Sequence, residues 1–194
     1  MRIVSMPASV SMPASVSMPA TVSMPATPAD LFAFLESLGI ATRTLEHPPV
    51  YTVEESRRLR GELPGGHTKN LFLKDRKGRL FLVVCRESIR VDLKRIHEAL
   101  GASGRVSFGS AELLREALGV EPGSVTVFGV FNDAAHRVSL AIDRGLLDFD
   151  EIHGHPLVNT MTTAIHRDDL MRFLAATGHP PMIVDVAVRD DEEA

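Results

Sequence analysis

A single cysteine stands among 194 residues, so no disulfide can close within the chain and no cysteine-rich metal site can be built. That thiol, Cys85, lies in the apolar run LFLVVC, where a small core residue is expected and a nucleophile is not. A reducing, cytoplasmic setting fits this cysteine usage. Long apolar stretches are also missing: none approaches the roughly 18 residues that a membrane-spanning helix needs. The N-terminus lacks the charged start and apolar centre of a secretory signal, so no membrane association is expected. The chain carries no GxSxG elbow, no HExxH, and no cysteine paired with a histidine at recognisable local spacing.

What is present suits one globular domain. Hydrophobic residues make up 44% and charged residues 24%, enough apolar material for a core without staples. The net charge of −4 argues against indiscriminate coating of nucleic acid, which rests on neutralising many phosphates. Its distribution is uneven. From Arg43 to Arg105 there are 14 Lys/Arg against 8 Asp/Glu, and from Val106 onward 6 against 15. One half can meet a polyanion; ordinary charged surface helices would give the same excess, and the charge alone does not separate the two.

Residues 5–28 read SMPASV SMPASV SMPATV SMPATP, a six-residue unit repeated with little to bury. A disordered tail over 1–26 is expected, from a repeat expansion or an upstream start with Met24 as an alternative beginning. A folded domain is expected over 27–187, followed by an acidic tail over 188–194. Thr27 or Asp30 can cap a first helix through Leu31, Phe34, Leu35 and Leu38, ended by Gly39. ATRTLEHPPVY reads as a strand and TVEESRRLRGEL as a short helix. HTKNLFLKDRKGRLFLVVC reads as a hairpin about DRKGR. DLKRIHEAL and SAELLREAL read as helices closed by Gly101 and Gly119, the second capped by Ser110. SVTVFGVF, VSLAID and VNTMTTAI read as strands, and RDDLMRFLAAT as a last helix. Hairpins mixed with helices imply an α+β domain with a mixed, largely antiparallel central sheet flanked by helices.

The densest polar cluster is HGHPLVNTMTT, residues 153–163. Pro156 biases His155 toward an extended backbone and so fixes where its ring points, with Asn159 and Thr160 close behind. A turn histidine that satisfies local carbonyls is the bland alternative. His153 and His155 share a strand face, and Asp148 and Asp150 are near in sequence, yet two imidazoles are thin support for zinc and no metal is expected. SFGSAELL has the look of a phosphate cradle or simply of a capped helix. Asp143 either lies near a site or closes a turn.

Three segments, HTKNLFLKDRKGRLFLVV, RVSFGSAELLREALGVEPGSVTVFGVFND and HGHPLVNTMTTAI, together resemble the YbaK and prolyl-tRNA synthetase-associated domain family. The resemblance runs from about Thr27 to Val186 and is closest to the free-standing prolyl-tRNA editing proteins that deacylate Ala-tRNA(Pro). It implies a mixed sheet flanked by helices and hydrolysis of the ester between an amino acid and the terminal ribose of tRNA, assisted by the substrate's own 2′-hydroxyl. That chemistry needs orientation and oxyanion stabilisation, not a cofactor, and none is expected.

The resemblance matches Lys69, in TKN at the hairpin mouth, to the family's functional lysine, with Asn70 beside it as a hydrogen-bonding group. His155 becomes a positioning residue, and Asn159 and Thr160 lie near the scissile bond. Ser107, Phe108, Gly123, Ser124 and Gly129 are implied to line the pocket. Val127 stands where relatives often carry proline after GSVT; with Phe128 and Met161 it is a candidate wall, and the amino acid preferred is less fixed than the reaction. The implied partners are the aminoacyl-tRNA 3′ end and prolyl-tRNA synthetase. The same chemistry on Cys-tRNA(Pro) or on Ser- or Thr-charged tRNA, or a non-catalytic module that binds the charged end, remain the alternatives.

Overall fold

The computed structural model describes residues 24–49 and 64–188. The helix expected in TVEESRRLRGEL, most of the repeat segment, and residues 189–194 lie outside the described residues. The first helix, α1 (Pro28–Ser37), begins where the sequence places a cap. The Thr27 hydroxyl accepts from the Asp30 N–H at 3.3 Å while the Asp30 carboxylate accepts from the Thr27 N–H at 2.8 Å. Such a box contributes about 1 kcal/mol. Leu31 and Leu35 go into the core.

Eight strands form one sheet: β1 (Thr42–Glu46), β2 (Gly66–Lys74), β3 (Leu80–Arg86), β4 (Ser107–Phe108), β5 (Val138–Asp143), β6 (Glu151–Gly154), β7 (Met161–His166) and β8 (Met182–Val184). The order is β1-β7-β6-β2-β3-β5-β8, with β4 added to β2. Pairs β1/β7, β6/β7, β2/β3 and β2/β4 are antiparallel, and β2/β6, β3/β5 and β5/β8 are parallel. The expected mixed sheet is present. The first six residues of β3 are buried, which is why LFLVVC shows no polar alternation: helices and loops cover both of its faces.

One face carries the larger core. Leu80, Leu82, Val84, Leu140, Ile142, Ile152 and Ile165 pack there against α1, against α3 (Ala111–Leu118) and against α4 (Arg167–Ala176). The other face carries a smaller core of Leu73, Phe81, Val83, Cys85 and Ala141 under α2 (Ile96–Ala99) and the chain around it. Ser110 caps α3 by accepting from the Leu113 N–H at 3.2 Å, and Gly119 ends that helix with φ +64, a left-handed value that a side chain resists.

Three expectations are corrected. SVTVFGVF is not a strand: Val127–Asn132 is a 3-10 helix, capped by the Thr126 hydroxyl, with Phe128 edge-on to Phe173 at 5.5 Å in the core. A short apolar run does not distinguish a core strand from a buried helical turn. DLKRIHEAL is helical only over its last residues, because Asp92 turns the chain first by accepting from the Lys94 N–H at 2.8 Å. In VNTMTTAI the strand begins at Met161. Strands β4 and β8, of two and three residues, had no periodicity to reveal them.

Candidate functional site

Period-two alternation along β2 sends Thr68, Asn70 and Phe72 toward the larger core and His67, Lys69, Leu71 and Leu73 to the opposite face. That opposite face is apolar over β3, β5 and β8. Over β1, β7, β6 and the start of β2 it is polar instead. His67 pairs with His153 in the parallel register, and their rings stand 4.4 Å apart. His47, just past β1, reaches Thr162 on β7 and lies 6.2 Å from the ring of His155. Four histidines and Lys69 thus occupy one half-face.

The 153–163 segment is folded so as to serve two directions. At Gly154 a Cβ would come within 3.3 Å of the Phe128 ring, so the chain passes close over the core there. Leu157 has φ +68, a conformation costly for a leucine, and its side chain is 6% exposed. Its N–H donates to the His155 carbonyl at 2.9 Å, closing a tight turn around Pro156. The turn leaves His155 on the histidine side. Asn159 and Thr160 go the other way, into a cavity of about 560 Å³ walled also by Thr27, Pro28, Glu121 and Ser124. The two sides meet at Thr160, whose carbonyl accepts the His47 N–H at 2.9 Å.

Carbonyl acceptors fix the imidazole protons. His155 Nδ1 lies 2.8 Å from the Met161 carbonyl, so Nδ1 carries the hydrogen and Nε2 keeps its lone pair when the ring is neutral. Burial, and then the neighbouring His47, hold its pKa below the ordinary 6.5, against the Met161 bond. His153 is lowered likewise, by burial and by His67, and its Nε2 donates to the Pro64 carbonyl at 3.1 Å. Gly65 makes room for that ring: with φ +124, a Cβ there would sit 2.5 Å from His153 Nε2. His47 Nδ1 donates to the Pro48 carbonyl at 2.8 Å, so its Nε2 accepts from the Thr162 hydroxyl at 2.9 Å.

Lys69 is half-buried and its ammonium donates to the Ile89 carbonyl, which leaves two of its three N–H donors for other acceptors. Asn70, its neighbour, faces away from it. Its amide donates to Thr68 Oγ1 at 3.3 Å, and that hydroxyl is itself committed to the His153 carbonyl at 2.7 Å. The Asn70 Oδ1 is buried and has no hydrogen-bond partner among the described residues.

The residues singled out in the sequence therefore fall into separate places. Lys69 and His155 share the histidine face. Ser124, Asn159 and Thr160 line the cavity, with Gly123 in the same loop. Asn70 lies on the core side, so the pairing of Lys69 and Asn70 at one mouth is corrected: adjacent strand residues point oppositely. Val127 is 1% exposed and Phe128 and Gly129 are buried, Gly129 against Leu118, so they shape the site from beneath it. Ser107 and Phe108 pair with Lys74 and Leu73 at the far end of β2. Asp143 is buried and accepts from Arg86 Nε at 3.1 Å. Burial also lifts the Cys85 thiol to about 11. Among the described residues no three His, Cys, Asp or Glu are grouped to hold a metal ion. His47 went unnoticed, although His47-Pro48 repeats the His-Pro dipeptide that drew attention to His155.

Comparison with known proteins identifies the family and the fold. The aminoacyl-tRNA editing domain matches residues 47–173. The chain belongs to the aminoacyl-tRNA editing domain family. One relative, prolyl-tRNA synthetase associated domain-containing protein 1 of Danio rerio, is 41% identical over 157 residues, covering 80% of this chain and 85% of that protein. Another, the prolyl-tRNA editing protein ProX of Acetoanaerobium sticklandii, is 35% identical over 150 residues, covering 77% and 91%. The crystal structure of hypothetical protein APE2540 has the same fold, with a TM-score of 0.63 at 22% identity, covering 79% of this chain and 97% of that one. As an editing domain the chain spans most of the length of these relatives. No helix among its described residues is long and apolar enough to cross a membrane.

Proposed function

We propose that this protein is a trans-editing deacylase that hydrolyses the ester of mischarged tRNA, with Ala-tRNA(Pro) as its substrate. The observation that carries the reading is the neutral, tautomer-fixed His155 on the face that also carries Lys69, with a cavity of about 560 Å³ lined by Asn159 and Thr160 on the other side of the same turn. A cavity of that size takes a small ligand. The names of the relatives point the same way.

In this reading the ester carbonyl sits beside the 155–160 turn and Lys69 holds a phosphate of the 3′ end as a point charge. His155 Nε2 accepts a hydrogen bond from the attacking water or from the ribose 2′-hydroxyl that orients it. The water oxygen bonds to the carbonyl carbon, the bond to the ribose oxygen breaks, and the water proton ends on that oxygen. Alanine leaves as the free amino acid. Rejection of the correct prolyl ester rests on size, since excluding a larger ring by sterics is easier than rejecting a smaller group by lost contacts. Prolyl-tRNA synthetase is the partner that supplies the mischarged substrate.

The test is the decay of Ala-tRNA(Pro) and Pro-tRNA(Pro) with catalytic amounts of protein, with Cys-, Ser- and Thr-charged tRNA in parallel. Rapid loss of the alanyl ester alone is expected. Loss of a different ester would keep the chemistry and change the substrate, whereas survival of every ester would leave a module that binds the charged end.

A further inference from the structure

The far end of β2 holds a feature that the candidate site does not use. Between Lys74 and Arg105 there are 9 Lys/Arg and 4 Asp/Glu. Elsewhere among the described residues the arginines are paired: Arg43 with Glu151, Arg115 with Glu121, Arg137 with Glu116, Arg144 with Asp185, and Arg172 with Asp169. Lys74, Arg76, Lys77 and Arg105 are all exposed, and among the described residues none of them has a carboxylate within ion-pair distance.

These four cations are held together by one buried carboxylate. Asp75 Oδ1 accepts from the Lys77 and Arg79 N–H groups, each at 2.9 Å. Its Oδ2 accepts from Arg79 Nε and from the Ser103 N–H, also at 2.9 Å. Burial alone would raise this carboxyl, but the Ser103 and Arg79 bonds outweigh it and hold its pKa down at about 2. Arg79 also donates to the Gly101 carbonyl at 2.7 Å, and the Arg76 side chain lies over Gly104, where a Cβ would meet it at 3.4 Å. The hairpin tip and the 101–105 loop are thereby locked into one platform whose only acid is internally neutralised. Beside it Phe108, 59% exposed on β4, presents an aromatic ring of the kind that stacks on an unpaired base.

We propose that this platform, formed by Lys74, Arg76, Lys77 and Arg105, binds the phosphate backbone of the tRNA acceptor stem. Lys74 lies five residue steps along β2 from Lys69, about 17 Å at the rise of a strand. The unpaired 3′ end would cover that distance from the stem to His155 by way of Phe108, over the outer surface, since Phe72 and Leu73 of β2 are buried. This inference rests on the deacylase reading for the identity of the polyanion. Contacts of this kind position a stem without reading its bases.

Binding of uncharged tRNA(Pro) to the full chain, measured over a range of salt, tests it apart from catalysis. The double variant Arg76→Glu/Arg105→Glu is expected to bind at least about 10-fold more weakly, with the slope of log affinity against log salt reduced by about 2. Arg144→Glu, in the acid-rich half, is expected to bind like wild type. Equal affinity and slope in the double variant, or wild type that does not bind tRNA, would overturn the proposal. If wild type binds through the platform and hydrolyses no ester, the deacylase reading fails and the platform stands. Hydrolysis of a charged short oligonucleotide ending in the tRNA 3′ sequence should be the same in the double variant and wild type; an equal loss there would place these arginines in the reaction site and refute the stem assignment.

Discussion

Leu157 offers a test in which two opposing effects give an unusual rank order. The side chain is 6% exposed within the larger core, so Leu157→Ala removes buried volume at a cost of roughly 2–5 kcal/mol. Alanine also keeps the penalty of a left-handed backbone at φ +68, about 1–2 kcal/mol for any residue with a Cβ. Glycine loses one more carbon but escapes that penalty, while adding about 0.4–1 kcal/mol of unfolded-state entropy. The two backbone terms together leave Leu157→Gly above Leu157→Ala by roughly 0–1.6 kcal/mol, the reverse of the order in a helix or strand. Urea unfolding with a shared slope reads this difference directly. Both variants free the turn that holds His155 and Asn159 apart, so deacylation should fall by on the order of 10-fold or more in each. Alanine more stable than glycine, or full activity in both variants, would show that the left-handed residue does not set the geometry of the loop.

Lys69→Ala should sharply weaken deacylation at subsaturating tRNA, and His155→Ala should cost about 10-fold, or roughly 1.4 kcal/mol; wild-type rates would remove either residue from the site. The lowered pKa values of His153 and His155 mean that below pH 6.5 the unfolded chain binds protons that the fold excludes. Stability should therefore decrease as pH falls from 6.5, levelling off once the folded pKa values are passed. Urea midpoints taken from about pH 7.5 to 5.5 check this, and His153→Asn/His155→Asn should flatten the profile. Cys85, buried with its thiol near 11, should resist iodoacetamide at mildly alkaline pH in the native protein; labelling as fast as in the unfolded chain would contradict its place in the core.

Much of the fold was legible because its signals are local. The Thr27 box, the Ser110 cap, the Gly119 stop and the DRKGR turn each rest on neighbours within a few residues, and each falls where the spacing placed it. SVTVFGVF reads as a strand because its apolar run has no period; the 3-10 turn shows in the Thr126 cap and in the packing against Leu118 and Phe173. At the site the loop was found from its composition, but its division into two directions depends on the left-handed Leu157, which no local rule indicates. The opposite facing of Lys69 and Asn70 was available from strand alternation alone. His47 was harder: its partner Thr162 is 115 residues away, and only the closing of β1 on β7 joins them.

That distance has a consequence for how the protein comes into being. Strand β1 is the first strand of the domain to be made and β7 the last but one, yet Thr42 pairs with Ile165. Pairings so remote in the chain are slow to form, because a long loop must close before any contact rewards it. During synthesis the hairpin and the platform at its tip can assemble early from neighbouring residues, while His47, Thr162 and His155 meet only after nearly the whole domain has emerged. A partly made chain therefore carries a surface for a polyanion well before it carries the histidine face, so its capacity to hold precedes its capacity to react.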